Sequence, residues 1–268
     1  MRKLVPLLTG CLLLGSGASA LADEDAAPTP APRGGQQTDQ LALPAGTLVI
    51  DAFLEANLSK TMAWKPVSLS PDVWYGATDE LTLGLVHSSV GATGFLGGVG
   101  DSLCLTGSSN GCAHFYQDVG LDARYRLTTP FVVDAGLFVR NFDPFWLAAK
   151  VGVGGRWVFD KVVLEANPSL FFGFTHRSPL NKDTFFLPLT ASYEVVDKLD
   201  LSLQSGVQLQ LEQTSDNYRV PVSLAARYQI NPRFGAGLAF TLPFLVGPSA
   251  APHGFDVRTL MLGGSYAL

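Results

Sequence analysis

Past residue 20, the sequence has no long apolar run. A membrane-spanning helix needs ~20 consecutive, mostly apolar residues, and the apolar stretches here are interrupted well before that length. Charged residues are also scarce, at 15% of the chain, while 47% of the chain is hydrophobic. That balance is unusual for a soluble domain. If the chain crosses a membrane, it must do so as a closed β-barrel, because an open sheet edge cannot satisfy its hydrogen bonds in lipid.

The sequence also lacks an excess of basic residues. Removing Arg2 and Lys3 with an N-terminal signal reduces the 18 basic residues to 16, against 23 acidic ones, so the formal charge falls to −7. This acidity argues against a nucleic-acid partner. Cysteine is scarce too: the chain has three, of which Cys104 and Cys112 remain after the signal. Both lie in one predicted loop of an exported chain, so we expect a disulfide between them, with two free thiols as the alternative.

The N-terminal region divides into a signal and a linker. Met1 to Ala20 has a basic start, an apolar centre and an Ala-Ser-Ala cleavage site, which predicts a secretory signal peptide. A lipoprotein signal ending at Cys11 is the alternative, but its apolar run would be very short. Residues 21–46 are rich in Ala, Pro, Gly and Gln. This composition predicts a disordered periplasmic segment rather than a lumen plug, and residues 47–268 are predicted to form the barrel.

The stretch from Leu199 to Glu212 carries the clearest structural signal. Apolar or small residues occupy every second position, and Asp, Ser, Gln, Gly and Glu lie between them. Strict alternation indicates a strand with two different faces. Its length exceeds the usual five or six residues of strands in soluble sheets. It suits the wall of a transmembrane barrel, with lipid outside and polar groups inside.

Alternation of this kind continues through the chain from Gly46 onward. It predicts an all-β fold, a transmembrane antiparallel up-and-down barrel of about 12 strands. The predicted strands are Thr47–Ser59, Trp64–Gly76, Glu80–His87, Tyr116–Leu127, Phe131–Arg140, Phe145–Val158, Val162–Thr175, Phe185–Val195, Leu199–Glu212, Arg219–Ile230, Phe234–Leu245 and Phe255–Leu268.

Short and longer connections alternate between these strands. Five tight turns contain Asp, Asn or Pro, and the remaining connections are more variable. Short turns at one rim and longer loops at the other are typical of outer-membrane barrels. With an even number of strands, both chain ends are predicted on the periplasmic side. An aromatic residue also precedes each tight turn by about three positions and predicts an interfacial belt; these residues are Tyr75, Tyr125, Trp157, Tyr193 and Tyr228.

The polar faces supply the candidate functional residues. We predict that the lumen is lined by Asp122, Arg124, Arg126, Asp134, Arg140, Lys150, Arg156, Glu165, Asn167, Glu194, Asp200, Gln204, Gln208, Glu212 and Arg227. Charges of both signs occur on neighbouring predicted strands. Because charges inside a membrane protein need partners, we expect ion pairs between them. Two interpretations remain open: an ion-pair network that fills the barrel, or a hydrated path whose charges select a small polar or amphipathic solute.

Two local resemblances extend this interpretation. Residues 73–83 read VWYGATDELTL, which resembles the Tyr-Gly-x-Thr-Asp hairpin of the outer-membrane transporter family linked to aromatic-compound (phenol meta-pathway) degradation clusters. The resemblance implies twelve strands and passage of hydrophobic or aromatic solutes, although the family often has a basic residue where Glu80 stands. The last strand resembles the C-terminal signal strand of bacterial outer-membrane barrels, which implies recognition by the barrel-assembly machinery.

Two alternatives to a channel follow from other residues. His87 and Ser89 are two positions apart, and on a strand they would share the lipid-facing side. This resembles the His-x-Ser of outer-membrane phospholipase A and lipid A deacylase barrels, in which His is the base and Ser the nucleophile. Asn usually follows that Ser, whereas Val90 follows here. The second alternative is a structural or adhesive barrel that binds a partner through the Cys104–Cys112 loop. We expect no enzyme activity, no cofactor and no metal site.

Overall fold

The computed structural model describes residues 41–97, 102–177, 181–212, 214–248 and 254–268. Its strands are β1 (Leu48–Asn57), β2 (Val67–Gly76), β3 (Leu81–Val86), β4 (Leu103–Cys104), β5 (Val119–Thr128), β6 (Phe131–Phe142), β7 (Phe145–Phe159), β8 (Val162–Ala166), β9 (Ser169–Gly173), β10 (Thr184–Val196), β11 (Leu199–Gln210), β12 (Tyr218–Asn231), β13 (Phe234–Val246) and β14 (Thr259–Ala267). The predicted signal peptide and most of the predicted linker lie outside the described residues.

Within this part of the chain, the strands form a closed antiparallel barrel with twelve staves, where a stave is one strand position around the barrel wall. Each strand pairs with its neighbour in sequence, and β1 closes the ring by pairing with both β2 and β14. The two-residue strand β4 adds to the edge of β2 and is not a stave. The predicted fold class and strand number are therefore confirmed. Among the described residues, no helix has the length and apolarity that crossing a membrane requires.

One predicted strand is interrupted. The stretch Val162–Thr175 was expected to be continuous, but it forms β8 and β9 with Asn167 and Pro168 between them. Proline has no N–H to donate to a sheet ladder. The Pro168 carbonyl still accepts the N–H of Val153 at 3.0 Å, and the register on both sides of the break is maintained. The two short strands therefore act as one stave.

The outside of the barrel is apolar. On β11 and β12, the cross-strand partners Leu203 and Leu224 are 51% and 61% exposed, whereas Gln204 faces inward and is buried. The five aromatic residues of the predicted belt are all exposed on the outer face near the short turns. An apolar band bordered by aromatic residues is the surface that a transmembrane barrel presents to lipid.

Replacing an outward leucine should be more harmful than replacing its inward neighbour. We expect Leu203→Arg to destabilise the folded barrel in lipid vesicles by ~2–4 kcal/mol, the cost of a charge near mid-membrane. Ser202→Arg is the matched control, because Ser202 lines the lumen. The measurement is reversible unfolding by denaturant in the presence of vesicles. Equal losses for the two variants would contradict the assigned facing.

Candidate functional site

The lumen is divided by a segment of the chain that folds inward after β3. β3 ends at Val86, and residues 88–97, which we call the inserted segment, leave the wall. The segment contains a short helix, α1 (Ser89–Thr93). Ser88 caps this helix, since its Oγ accepts the N–H of Gly91 at 2.9 Å. The long connection that the sequence indicated only as a loop therefore has an ordered part inside the barrel.

A buried carboxylate on β2 holds the start of the inserted segment. Asp72 accepts the backbone N–H of His87 at 2.7 Å and that of Ser88 at 2.9 Å. The Ser88 hydroxyl also donates to this carboxylate. The side chain of Asp72 is therefore fully engaged by the residues at which the chain turns away from the wall.

The far end of the inserted segment is bound to the opposite wall. Gln204 on β11 accepts the N–H of Leu96 at 2.7 Å and donates to the carbonyl of Gly94 at 2.9 Å. Thr241 on β13 donates to the carbonyl of Leu96 at 2.9 Å. Gly97 adopts φ +84, and a Cβ there would lie 3.1 Å from Thr241 Oγ1. A glycine is suited to this position for both reasons, and the segment crosses the lumen from wall to wall.

Four phenylalanines, one of them in the inserted segment, form an apolar waist. Phe95 lies 6.5 Å from Phe186 between ring centroids, Phe186 lies 5.2 Å from Phe171, and Phe171 lies 5.1 Å from Phe138. All four are buried. Tilted and edge-to-face pairs at these separations are favourable aromatic contacts. We use the name apolar waist for Phe95, Phe138, Phe171 and Phe186.

The inner chamber lies between the inserted segment and the rim that carries the short turns. It has a volume of about 290 Å³. On its wall, Lys150 Nζ lies 2.9 Å from Asp122 Oδ2 and 2.5 Å from Asp134 Oδ2. A Cβ at Gly136 would lie 2.8 Å from Asp122 Oδ1, so the absence of a side chain there leaves room for the carboxylate. Lys150 thus bridges two acidic groups from neighbouring strands.

Further charges of both signs face the inner chamber. Arg156 forms an ion pair with Glu165 across β7 and β8. The guanidinium carbon of Arg124 lies 3.8 Å from the ring centroid of Trp74, which is a cation–π arrangement. Arg227 also lines this chamber. The wall therefore combines paired charges with an aromatic surface, rather than one sign of charge.

Residues 41–43 enter the inner chamber from the short-turn rim. Leu41 and Leu43 line the chamber, and Ala42 is fully buried. The backbone N–H of Leu43 donates to Thr82 Oγ1 at 2.7 Å. The predicted boundary of the disordered segment at residue 46 is therefore too late, because these residues bury apolar side chains against the wall. Lumen contact by this segment was also not expected.

The outer chamber lies on the other side of the inserted segment, towards the longer loops. It has a volume of about 170 Å³. Arg140, Gln208 and Arg219 face it from the wall, together with Asp118 and His87. The apolar waist also lines this chamber. It is thus a small compartment with aromatic and polar sides. We call the apolar waist its floor, and Arg140, Gln208 and Arg219 with Asp118 and His87 its upper wall.

The predicted lumen residues fall into four groups. Those that line the inner chamber are Arg124, Asp134, Lys150, Arg156, Glu165, Asn167, Gln204 and Arg227, with Asp122 buried behind Lys150. Arg140 and Gln208 line the outer chamber. Arg126, Glu194 and Asp200 lie near the short-turn rim and line neither chamber; Arg126 donates there to the Asp79 carbonyl. Glu212 lies beyond the end of β11.

Glu212 differs most from its predicted position. β11 ends at Gln210, so Glu212 belongs to the following loop. Its carboxylate contacts Arg177 at 3.1 Å and Lys182 at 3.8 Å. Arg177 in turn pairs with Asp183 at 2.8 Å and lowers the pKa of that carboxyl below its usual value. This exposed cluster ties two outer loops together and is not part of the wall.

Cys104 and Cys112 form the predicted disulfide, with their Cα atoms 6.2 Å apart. The bridge closes a small lobe that is held beside the upper part of β2 through β4. Leu105 and Phe115 within this lobe are exposed, at 52% and 72%. The lobe therefore presents apolar side chains at its surface, in contrast to the inserted segment that precedes it in the same connection, where Phe95 is buried.

The prediction that His87 and Ser89 share one face of a strand is wrong. Ser89 lies in α1, and its hydroxyl donates to the carbonyl of Phe95 at 3.3 Å. His87 Nδ1 lies 2.6 Å from the carbonyl oxygen of Pro71. The strand ends before either residue, so the two-residue spacing no longer places them side by side. Among the described residues, no group of three His, Cys, Asp or Glu side chains is arranged to hold a metal.

No family description and no curated protein matches this chain. Solved barrels do match. The NanC porin is 8% identical and superposes with a TM-score of 0.56 over 82% of this chain and 100% of that chain. The KdgM porin is 8% identical, with a TM-score of 0.49 over 81% and 98% of the two chains. An outer-membrane channel from Pseudomonas putida F1 is 11% identical, with a TM-score of 0.49 over 87% and 100%. The NanC match supports the barrel fold and nothing finer.

Proposed function

We propose that this protein is a bacterial outer-membrane channel through which a small polar or amphipathic solute passes without energy input. The observation that carries the proposal is the divided lumen. A barrel built only as a membrane anchor needs no internal space, whereas this one keeps two chambers lined by charged and aromatic side chains. The lumen is narrow at the inserted segment, so we expect low conductance rather than a wide pore.

The outer surface supports the location. Outward leucines and the aromatic residues near the short turns match the lipid-facing band of outer-membrane barrels. The short turns would then be periplasmic, and Leu48 and Leu268, which pair at that rim, would place both ends of the barrel there. Outer-membrane lipid is the partner of the apolar band, and the barrel-assembly machinery is the partner of β14 during insertion.

The hairpin of β2 and β3 supports a link to the aromatic-compound transporters. Residues 73–76 end β2 and residues 81–83 begin β3, with the Thr-Asp turn between them. We include membership of that family in the proposal. The aromatic side chains that face both chambers would favour a solute with an apolar body, and the paired charges would favour one with a polar group.

A partner-binding barrel is a second candidate. The exposed side chains of Leu105 and Phe115 on the disulfide lobe favour it, because large apolar side chains exposed on a loop are common at interfaces. This candidate predicts that the barrel carries no solute and that changes in the lobe matter more than changes in the lumen.

Solute flux into proteoliposomes separates the two candidates. Vesicles that contain the refolded protein should swell in small isosmotic solutes faster than empty vesicles do. Larger sugars should enter more slowly, because the inserted segment narrows the path. Swelling equal to that of empty vesicles for every solute would contradict the channel, provided that the protein shows the heat-dependent gel shift of a folded barrel.

A further inference from the structure

The outer chamber has the size of a single-ring ligand. Its volume is about 170 Å³, and an apolar cavity of about 150 Å³ is known to hold benzene. The inserted segment lines the chamber on its inner side, and the chamber lies towards the longer loops. A solute that entered from outside would therefore meet this chamber before the inner one.

The floor of this chamber is aromatic. The rings of the apolar waist form a continuous series, with neighbouring centroids 5.1–6.5 Å apart. Each ring is buried, at 5% exposure or less. The parts of these rings that line the chamber are available for edge-to-face contacts with a ring-shaped ligand. A small hydrophilic solute would gain nothing from this floor.

The upper wall is cationic. Arg140 lies with its guanidinium carbon 5.8 Å from the Phe171 ring centroid, so one positive group is held directly beside the floor. Arg219 faces the same space, and its Nε donates to Gln208 Oε1. Among the described residues that line the chamber, Asp118 supplies the one carboxylate against these two guanidinium groups. Two positive groups and one negative group therefore favour an anionic ligand over a cationic one.

Guanidinium groups match carboxylates by geometry as well as charge. Each presents five N–H donors in a planar fork that suits a carboxylate. A ligand with a ring against the waist would place a carboxyl group, one bond away, towards Arg140. A neutral amide would keep the ring contacts but lose the charge-assisted hydrogen bonds.

We propose that the outer chamber is a binding site for a small aromatic monocarboxylate, held by its ring on the apolar waist and by its carboxylate at Arg140 and Arg219. This inference rests on the proposed channel function and names its solute class. The class combines the two features that the chamber presents: an aromatic floor and an excess of guanidinium groups.

Equilibrium binding tests the site without requiring a current. Benzoate, benzamide, benzylamine and acetate are titrated into refolded, detergent-solubilised protein in a calorimeter. Benzoate should bind saturably. Benzamide, which has the ring without the charge, should bind at least about tenfold more weakly, because one charge-assisted hydrogen bond accounts for that much. Acetate, which has the charge without the ring, should also bind at least about tenfold more weakly, because it loses the burial of a ring and its aromatic contacts. Benzylamine should not bind.

Variants assign the binding to this chamber. Arg140→Gln and Arg219→Gln should each weaken benzoate binding by about tenfold or more, for the same reason. Arg233→Gln is the control, because it removes the same charge in a short turn at the opposite rim. The heat-dependent gel shift verifies that each variant is folded. Gln at either position is polar and fills similar space, so the fold should be retained.

Defined results would overturn the proposal. Absence of saturable benzoate binding to the wild type would do so, as would equal affinities for benzoate and benzamide or for benzoate and acetate. Equal losses in Arg140→Gln and Arg233→Gln would also contradict it. Solute flux without benzoate binding would reject the site and leave the channel in place. Benzoate binding without flux would support the site and reject the channel.

Discussion

Lys150→Met is expected to destabilise the barrel by about 3–5 kcal/mol, the typical cost of breaking a buried ion pair by removing one of its members. Lys150 Nζ is the shared partner of Asp122 and Asp134, at 2.9 and 2.5 Å. The side chain of Asp122 is fully buried, and those of Lys150 and Asp134 are 5% and 12% exposed. Methionine removes the shared positive charge and leaves the two carboxylates close together, with Arg124 Nε 4.0 Å from Asp122 Oδ2 as the remaining partner. The measurement is the free energy of unfolding in lipid vesicles.

A compensated variant separates charge from packing. Replacing Lys150 by Met together with Asp122→Asn and Asp134→Asn removes all three charges and nearly preserves the volumes. We expect this triple variant to recover most of the lost stability, since uncharged replacements of buried ion pairs are often neutral. Lys161→Met in an exposed turn is the control and should change the stability by less than about 0.5 kcal/mol. Similar losses for Lys150→Met and Lys161→Met would contradict the buried network.

Asp72→Ala is expected to release the inserted segment. The variant removes the acceptor for the N–H groups of His87 and Ser88 and for the Ser88 hydroxyl. Hydrogen bonds to a charged group contribute about 1.5–3 kcal/mol each. Losing two or more of them should raise the population of an open segment by a factor of about 100 or more. Limited chymotrypsin digestion should then cleave after Phe95, which is buried in the wild type.

Asp72→Asn is the informative comparison. An asparagine oxygen still accepts both backbone N–H groups, and its amide donates towards the Ser88 hydroxyl. Cleavage after Phe95 should therefore be much slower in Asp72→Asn than in Asp72→Ala. If the two variants and the wild type were cleaved at the same rate, the carboxylate would not be what holds the segment in place.

The twelve staves could be predicted from sequence because each carries a two-residue period with an apolar outer face. Leu203 and Gln204 illustrate this: one is exposed on the outside and the other is buried inside. The pair of Arg156 and Glu165 was also accessible, because the two residues are cross-strand partners on β7 and β8. Local periodicity and register were sufficient for these features. The bridge at Lys150 was not predicted, because the register partner of Lys150 is Gly136 and Asp122 lies two strands away.

The apolar waist was not predicted because its residues break the alternation. Phe186 lies between Phe185 and Leu187, and Phe171 is followed by Phe172. Consecutive apolar residues carry no information about which one faces inward. Polarity alone marks lumen positions on strands that alternate, so the inward rings have no such mark. The break in alternation itself is the signal that could have located them.

The inserted segment was not predicted for a different reason. Its folding depends on contacts between residues more than 100 positions apart, such as Leu96 with Gln204 and with Thr241. No local period encodes such contacts. The glycine-rich composition of the connection indicated a loop, and the pair Phe95–Leu96 within it was the one sign that part of the loop is buried. Glu212 was misplaced because alternation continued past the end of β11.

Single-channel recording of the refolded barrel in planar bilayers tests the central claim most directly. The recordings compare the wild type with Asp72→Ala. The divided lumen predicts discrete steps of small conductance for the wild type and larger or more frequent steps for Asp72→Ala, because release of residues 88–97 joins the two chambers. Folded protein that gives no steps in either form would contradict the account of this barrel as a channel.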